Sequence, residues 1–397
     1  MEKNKKLFAE INDKKIKYGV FQLDDEKNYK LLFRKNSQND GIQNGVVTDL
    51  NLATDIVSED LNEIEKKVDT VFGDTNLIIN QKEMFSTNLT SFKNLNGAKV
   101  EKRDLDYILN DAKNSISRNE EKNTILHILN SNFYLDKKRR EKIPLNIFGD
   151  HLGLQMTFLS LPKNNIKNIK NLFESNDLKV DRYLCKPLTI GINLVNENNS
   201  LKNFFLINID DELSTISVYE NYSLVFFKTF PFGTNTIFRD ITQLCSITKD
   251  ETEAILCEIN FDKKKEKETK YIEKKFFKDT QFTKLSVSHF KNIIDSRIEE
   301  MINYLFNKNS NLSYFKNRLS HIYLVFENEI SHNNLSEVFK NHLNFDKEKI
   351  ALRIIKLDDL SLFGAAELIF KGWHAEAIPF VQKKKSLFSG VFSRFFN

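Results

Sequence analysis

The sequence is poor in the residues that build disulfide frameworks, tight turns and phosphate-binding loops. Its 397 residues include 3 cysteines, 5 prolines and 12 glycines. Cys185, Cys245 and Cys257 are far apart in the chain. They therefore indicate neither a disulfide framework nor metal-ligand spacing, which is typical of a reducing cytoplasm, and we expect small core residues. Few glycines leave few places where a backbone can wrap closely around a phosphate.

Long apolar runs and a strong charge of one sign are also lacking. No apolar run approaches the ~18 residues of a spanning helix. No apolar stretch follows the basic N-terminal residues, so we expect no secretory signal. The 59 basic and 55 acidic residues give a net charge of +4, too balanced to indicate nucleic acid. For the charge run at 261–279 we predict a hairpin with one solvated face; a basic nucleic-acid groove is the alternative, against which its acidic residues argue.

What the chain does contain is the pattern of an α/β protein. Hydrophobic residues make up 40% and charged residues 29%, enough to build a core. Groups of strands followed by helices occur twice, which predicts two related α/β halves. We predict strands at 5–11, 15–24, 29–35, 75–80, 124–136, 147–161, 179–186, 188–195, 203–210, 215–221, 223–232, 322–328 and 350–356. We predict helices at 49–68, 99–117, 163–178, 234–246, 249–258, 287–308, 331–343 and 360–373.

The C-terminal residues differ from the rest of the chain. Residues 374–386 contain Pro379 and lack helical periodicity, which indicates a linker. In residues 387–397, one face of a helix would carry only bulky apolar side chains, and lysines precede it. Such a helix suits an anionic bilayer surface, with packing on the protein's own core or on a partner as the alternative. The predicted membrane residues are Lys383, Lys384, Lys385, Leu387, Phe388, Val391, Phe392, Phe395 and Phe396.

Several short motifs follow one another in a recognisable order. The motifs are the run Gly41 to Asp49; Leu126, His127, Tyr134 and Asp136; Pro231-Phe232-Gly233-Thr234 with Asp240; and Ile293, Ile294, Arg297, Glu299, Glu300 and Met301. With the linker and terminal helix, this order and spacing resemble those of FtsA, an actin-like family of bacterial cell-division proteins. Each motif alone is weakly specific, but the resemblance covers nearly the whole chain.

The resemblance implies an actin-like, RNase H-like α/β fold of two lobes with an FtsA-type subdomain 1C and a C-terminal amphipathic helix. The implied parts are 1–80 (lobe 1 core, 1A), 81–160 (subdomain 1C), 161–187 (rest of lobe 1), 188–244 (lobe 2 core, 2A), 245–312 (subdomain 2B), 313–356 (rest of lobe 2), 357–373 (core helix returning to lobe 1), 374–386 (linker) and 387–397 (membrane helix). The sequence pattern also changes at 81–160 when the residues are considered without the resemblance.

Actin-like ATPases hold phosphates on two hairpins, each with a carboxylate and glycines. In the first hairpin this chain has Glu10, Asn12 and Asp13, without the glycine; in the second it has Asn208, Asp210, Asp211 and Glu212. Three acids facing a triphosphate would repel it. The resemblance also places Gly233, Glu253 and Glu327 at nucleotide positions. We therefore predict a degenerate site with no catalytic residue, metal or cofactor. The alternatives are that the acids bind a cation, that they pair with lysines, or that Glu10 still holds Mg²⁺ beside bound ATP.

The resemblance further implies partners and a location. These are FtsZ, other copies of the chain in a polymer, anionic inner-membrane lipid, and other division proteins through subdomain 1C, at the cytoplasmic side of the membrane in the septum (the Z-ring). Lys291 and Arg297 are candidates for binding the acidic FtsZ peptide. Arg297 pairing with Glu299 or Glu300 is the equally weighted alternative. A pilus-assembly-type adaptor and an actin-like ATPase with a divergent site are the alternative functions.

Overall fold

The computed structural model describes residues 5–26, 28–259, 270–318 and 320–377. Its strands are β1 Lys5–Ile11, β2 Lys15–Leu23, β3 Tyr29–Gln38, β4 Ile42–Gln43, β5 Val46–Val47, β6 Asp74–Ile79, β7 Phe85–Asn94, β8 Asn123–Leu135, β9 Lys138–Arg140, β10 His151–Pro162, β11 Lys179–Cys185, β12 Phe204–Ile209, β13 Ser214–Glu220, β14 Ser223–Phe230, β15 His321–Phe326 and β16 Ala351–Lys356. Its α-helices are α1 Leu50–Val68, α2 Lys102–Asn119, α3 Lys163–Glu174, α4 Lys186–Glu197, α5 Thr234–Cys245, α6 Lys249–Glu258, α7 Val287–Ile302, α8 Ser313–Lys316, α9 Ser336–His342 and α10 Leu360–Lys371.

The chain divides into two compact units, each described below by itself. The first unit comprises residues 1–203, 217–228 and 359–397, and the second comprises 204–216 and 229–358. The units do not follow the implied subdomain bounds residue by residue, because α4 belongs to the first unit. Those bounds stay a prediction.

The first unit contains a mixed sheet with the order β11-β6-β1-β2-β3. β1 pairs with β2 in antiparallel fashion through the predicted turn at Asn12 and Asp13, and with β6 in parallel. Since β11 also runs parallel to β6, the carboxyl ends of β1, β6 and β11 meet at one edge of the sheet. This edge carries the first candidate hairpin.

An antiparallel sheet with the order β7-β10-β8-β9 lies within residues 85–162 of the first unit. Helix α2 packs against it through Leu105, Ile108 and Leu109, which recur at helical spacing and are buried. Phe158 of β10 is fully buried in the same core. This sheet and helix account for the change in sequence pattern seen at residues 81–160.

The third sheet has the order β14-β13-β12-β15-β16. β12, β15 and β16 are parallel to one another, and β16 lies at the edge of the sheet. Helices α5, α6, α7 and α9 of the second unit pack beside one another. No helix in the described part of the chain is both long and apolar enough to cross a bilayer.

The prediction of a strand at 188–195 is wrong, because these residues belong to helix α4. Every residue from 186 to 195 is buried. An apolar run that is buried on all sides loses the periodicity that separates strand from helix. Pro187 in the first turn was the available signal, since proline at that position begins a helix without losing a backbone hydrogen bond.

One smaller prediction is also corrected, and the other predicted helices and strands are confirmed in type. Cys257 is exposed rather than a core residue, whereas Cys185 and Cys245 are buried. Of the predicted hairpin at 261–279, residues 261–269 lie outside the described residues. The described remainder contains a 3-10 turn at Lys274–Phe276 and a single bridge between Tyr271 and Ser286.

Helices α4 and α10 approach so closely that a side chain at Gly364 has no room. A Cβ atom there would lie 1.7 Å from the carbonyl oxygen of Thr189. We expect Gly364→Ala to lower the free energy of unfolding by about 1–3 kcal/mol, the usual cost of overpacking. Gly73→Ala is the matched control, since nothing lies within 4 Å of a Cβ at Gly73. Equal urea midpoints for the two variants would contradict the close helix contact.

Candidate functional site

The first hairpin holds a fully buried ion pair. Glu10 is the penultimate residue of β1, and Lys186 follows β11 as the first residue of α4. Ile11 and Cys185 both lie opposite Ile79 of β6, so the two strands deliver Glu10 and Lys186 to the same edge. Lys186 Nζ lies 3.0 Å from Glu10 Oε1, and both side chains have 0% exposure.

Two further side chains complete a group that we call the Glu10 cluster: Glu10, Asn12, Lys186 and Ser361. Asn12 Nδ2 donates to Glu10 Oε1 at 2.9 Å, and Lys186 Nζ donates to Asn12 Oδ1 at 3.0 Å. The hydroxyl of Ser361, in the first turn of α10, donates to Glu10 Oε2. The cluster thus joins the hairpin to the amino-terminal ends of α4 and α10.

The charges of the cluster are mutually stabilised. Burial alone raises the pKa of Glu10, but attraction to Lys186 and Lys17 and the hydrogen bonds from Ser361 and Lys186 outweigh it, and the pKa falls to about 2. Glu10 is therefore a carboxylate at neutral pH.

Asp13, at the tip of the same hairpin, holds the loop of the glycine motif. Its Oδ1 accepts the amide of Asn44 at 2.8 Å. Gly45 follows with φ +71, and a Cβ there would lie 2.8 Å from the carbonyl oxygen of Asn80, so the loop requires glycine at this position. Asp49 then caps α1 by accepting the amide of Leu52. The negative charge of Asp13 thus serves the loop in this structure.

The second hairpin, between β12 and β13, turns its acids toward the start of α5. Asn208 Nδ2 donates to Asp210 Oδ1 at 2.7 Å. The amides of Thr234 and Asn235 donate to the carbonyl oxygens of Asp210 and Asp211 at 3.0 and 2.9 Å. Gly233 permits this approach, because a Cβ there would lie 2.3 Å from the carbonyl oxygen of Asp210.

The side chains of the same acids accept further donors of α5. Thr234 Oγ1 lies 3.2 Å from Asp211 Oδ1, and Asn235 Nδ2 lies 3.0 Å from Glu212 Oε1. Arg239, one turn on, lies 3.2 Å from Glu212 Oε2. Negative charge is stabilising at a helix amino terminus, so these carboxylates take the place of an external anion there.

Each hairpin can be tested for its fit to a magnesium-bound triphosphate. In the first, the carboxylate of Glu10 is already neutralised by the Lys186 ammonium. In the second, backbone amides at the start of α5 already have carbonyl partners, and acids surround them. In this structure, the groups at both hairpins that would meet such a ligand are already paired within the chain. Among the described residues, no group of three or more histidine, cysteine or acidic side chains is placed to hold a metal.

The remaining predicted nucleotide positions have local roles. Glu253 lies 3.8 Å from Lys249 one turn before it on α6. The amide of Glu327 donates to the carbonyl oxygen of Ile209 at 3.1 Å, which continues the pairing of β12 and β15.

The buried acid of α6 is Glu251, which the sequence reasoning missed. It accepts the amides of Thr248, Asp279 and Thr280 and the Thr280 hydroxyl. These bonds outweigh burial and lower the pKa of Glu251 to about 2. The Thr248–Glu251 capping box was the available signal.

The two candidates for peptide binding lie on α7. Arg297 Nε donates to Asp240, and another of its guanidinium nitrogens donates to Glu300. The hydrogen bond that Arg297 donates to Asp240 raises the pKa of Arg297 further. The pairing with Glu300 is thus present in the structure. Lys291 is half-buried on the same helix.

The candidate membrane residues, 383–397, lie outside the described residues. The first residues of the predicted linker are described, and residues 375–377 are buried. Ala377 donates its amide to the carbonyl oxygen of Ile128, and Asn130 donates to Ala375, both at 2.7 Å. Residues 375–377 therefore continue the sheet beside β8.

A buried histidine and a partly buried arginine hold this segment. Glu376 Oε1 lies 2.7 Å from His127 Nδ1 and 2.6 Å from an Arg182 guanidinium nitrogen. His127 Nε2 accepts the amide of Cys185, so its proton sits on Nδ1. Burial lowers the pKa of His127, which keeps it neutral. Both ring nitrogens of His127 thus have partners within the chain. The sequence alone did not point to Arg182 or Glu376 as part of this contact.

The antiparallel sheet β7-β10-β8-β9, which we call the inserted sheet, lies in the chain between β6 and β11 of the mixed sheet. Together with the orders of the other sheets, this arrangement defines an actin-like α/β protein. A solved structure titled PilM-PilN type IV pilus biogenesis complex matches with a TM-score of 0.56 and 10% identity, over 92% of this chain and 96% of that chain. At this identity the likeness shows the fold alone. The family described as the SHS2 domain inserted in FTSA matches residues 82–160.

Curated relatives bear the same family name. The Cell division protein FtsA of Buchnera aphidicola subsp. Acyrthosiphon pisum is 22% identical over 257 residues, 64% of this chain and 61% of the relative. That of Rhizobium meliloti is 25% identical over 215 residues, 54% and 48% of the two chains. The matches thus span about half to three fifths of the relatives' length. They confirm the resemblance to FtsA and the predicted actin-like fold class.

The low pKa of Glu10 predicts that the protein loses stability at acid pH. A carboxyl group whose folded pKa is about 2, against an ordinary 4.5, stabilises the fold above pH 4.5 and loses that contribution as the pH falls toward 2. We expect the free energy of unfolding of the wild type to fall across this window. The double variant Glu10→Gln/Lys186→Met should fall less steeply, because Glu251 and Glu376 alone remain of the three acids with a pKa near 2. Parallel urea-derived profiles for the two proteins would contradict this role of Glu10.

Proposed function

We propose that the chain is a scaffold of bacterial cell division that tethers FtsZ filaments to the cytoplasmic face of the inner membrane and helps to assemble the septal machinery. The observation that carries the proposal is the match of residues 82–160 to the inserted domain of FtsA within an actin-like fold. The similarity to relatives that are named Cell division protein FtsA supports it. Other copies of the chain and further division proteins complete the proposed set of partners.

The proposed scaffold works without hydrolysing ATP. Its support is the occupancy of both hairpins by the chain's own groups, with Lys186 on Glu10 in the first and acids on α5 in the second. Assembly is then governed by concentration and partners rather than by an ATP cycle. A pilus-assembly adaptor is the less well supported function, because the pilus complex shares only the fold whereas the inserted domain is that of FtsA.

The proposed membrane contact uses the apolar face of residues 387–397 and the three lysines before it. We expect a chain ending at residue 382 to lose co-sedimentation with vesicles containing anionic phospholipid and to lose septal localisation in cells. The reason is that apolar burial and attraction of lysine to anionic headgroups are removed together. The triple variant Lys383→Ala/Lys384→Ala/Lys385→Ala isolates the charge: it should bind anionic vesicles more weakly and leave the weak binding to neutral vesicles unchanged. Septal placement of the truncated chain would contradict the proposal.

The proposed FtsZ-binding surface lies on α7. An acidic peptide ending in a carboxylate would compete with Asp240 and Glu300 for the Arg297 guanidinium. We expect Lys291→Ala and Arg297→Ala each to weaken binding of an FtsZ C-terminal peptide about tenfold, equal to about 1.4 kcal/mol. Asp240→Asn should strengthen binding, because it frees the guanidinium. Lys340→Ala is the control, since Lys340 pairs with Glu337 on α9. Fluorescence anisotropy measures all four, and equal losses for the control and the α7 variants would contradict this surface.

A further inference from the structure

We infer that the ammonium group of Lys186 is a built-in replacement for a divalent cation at the β1–β2 hairpin, which keeps the Glu10 cluster assembled without metal or nucleotide. The inference deepens the proposed absence of an ATP cycle. It rests on the side chains of the first unit and does not depend on the division role.

The contacts of Lys186 are those of a cation held by oxygen atoms. Its Nζ lies 3.0 Å from Glu10 Oε1 and 3.0 Å from Asn12 Oδ1. Carboxylate and amide oxygens are also the ligands of Mg²⁺ and Mn²⁺. The second carboxylate oxygen of Glu10 accepts the Ser361 hydroxyl, which fixes the direction of the carboxylate.

The burial of the cluster keeps a divalent ion from joining Lys186 there. Glu10, Lys186 and Ser361 have 0% exposure and Asn12 has 8%. The carboxylate and the ammonium cancel each other, so the buried cluster is close to neutral. A divalent ion entering it would meet the ammonium at a few ångströms in a medium of low dielectric, where like charges repel strongly. The cluster therefore excludes a metal ion as long as Lys186 is present.

Removing the ammonium group creates the opposite situation. Lys186→Ala leaves a buried carboxylate, an amide oxygen and a hydroxyl oxygen around the space that the lysine side chain vacates. A buried charge without its partner is strongly destabilising, and a divalent cation with its water ligands would neutralise it. The variant should thus depend on a metal that the wild type does not need.

The test compares full-length proteins by thermal unfolding, with a chelator or with millimolar Mn²⁺ or Mg²⁺. We expect no response of the wild-type Tm to either ion or to Mg²⁺ with ATP. In the chelator, Lys186→Ala should melt about 5–10 °C lower. Mn²⁺ should restore most of this loss and show a bound electron paramagnetic resonance spectrum with the variant only. Glu10→Gln/Lys186→Ala should lose the Mn²⁺ response, because the carboxylate is gone.

The charge-free variant Glu10→Gln/Lys186→Met separates the cation from the packing. It preserves side-chain volume and should fold with no response to either ion. A rise in wild-type Tm with Mn²⁺ or Mg²⁺ would overturn the inference. So would a Lys186→Ala protein that melts like the wild type in chelator, or that fails to fold with and without Mn²⁺ while the charge-free variant folds. None of these outcomes alters vesicle or peptide binding, so failure of the scaffold proposal is recognised separately by those assays.

Discussion

The burial of one ion pair, Glu10 with Lys186, is the constraint on which the first unit depends. A carboxylate and an ammonium without access to water are tolerated only if each keeps its partner and its hydrogen bonds. Asn12 and Ser361 supply those bonds, so the β1–β2 hairpin and the starts of α4 and α10 must lie together for the buried charges to keep their partners. These contacts bring together residues that are 174 and 351 positions apart in the sequence.

At the hairpin of the second unit, negative charge rather than positive charge is supplied by the chain itself. A helix amino terminus attracts negative charge, and in a phosphate-binding protein the ligand supplies it. Here Asp211 and Glu212 supply it from within the chain and also engage Thr234, Asn235 and Arg239. One hairpin thus carries its own cation and the other its own anions. Under the proposed function without an ATP cycle, each hairpin satisfies from within the chain a charge requirement that a magnesium–nucleotide meets in an actin-like ATPase.

Much of the fold follows from sequence periodicity, but the central interaction of the site does not. The hairpin at Asn12 and Asp13, the amphipathic α2 and the edge strand β16 each leave a local pattern that one element suffices to produce. Lys186 leaves no such pattern, since its partner lies far away in the chain and only the parallel pairing of β1 and β11 with β6 brings the two together. Its one local trace is a lysine inside the apolar run 184–195, next to Pro187. The apolar run itself misled the assignment of α4, because burial on every side removes periodicity.

The segment at 373–377 links the site to the chain beyond it. Glu376 is held by His127 and Arg182, and Ala377 is part of the core that α2 and β10 build. The chain therefore leaves the described part of the structure at Ala377, whose amide is hydrogen-bonded to the carbonyl oxygen of Ile128 in β8. A short amphipathic segment is a weak anchor by itself and gains strength when several copies act together. Ala377, the last described residue, is fixed to β8 by its amide and by the buried contacts of the neighbouring Glu376, so the chain beyond it is tethered at that point.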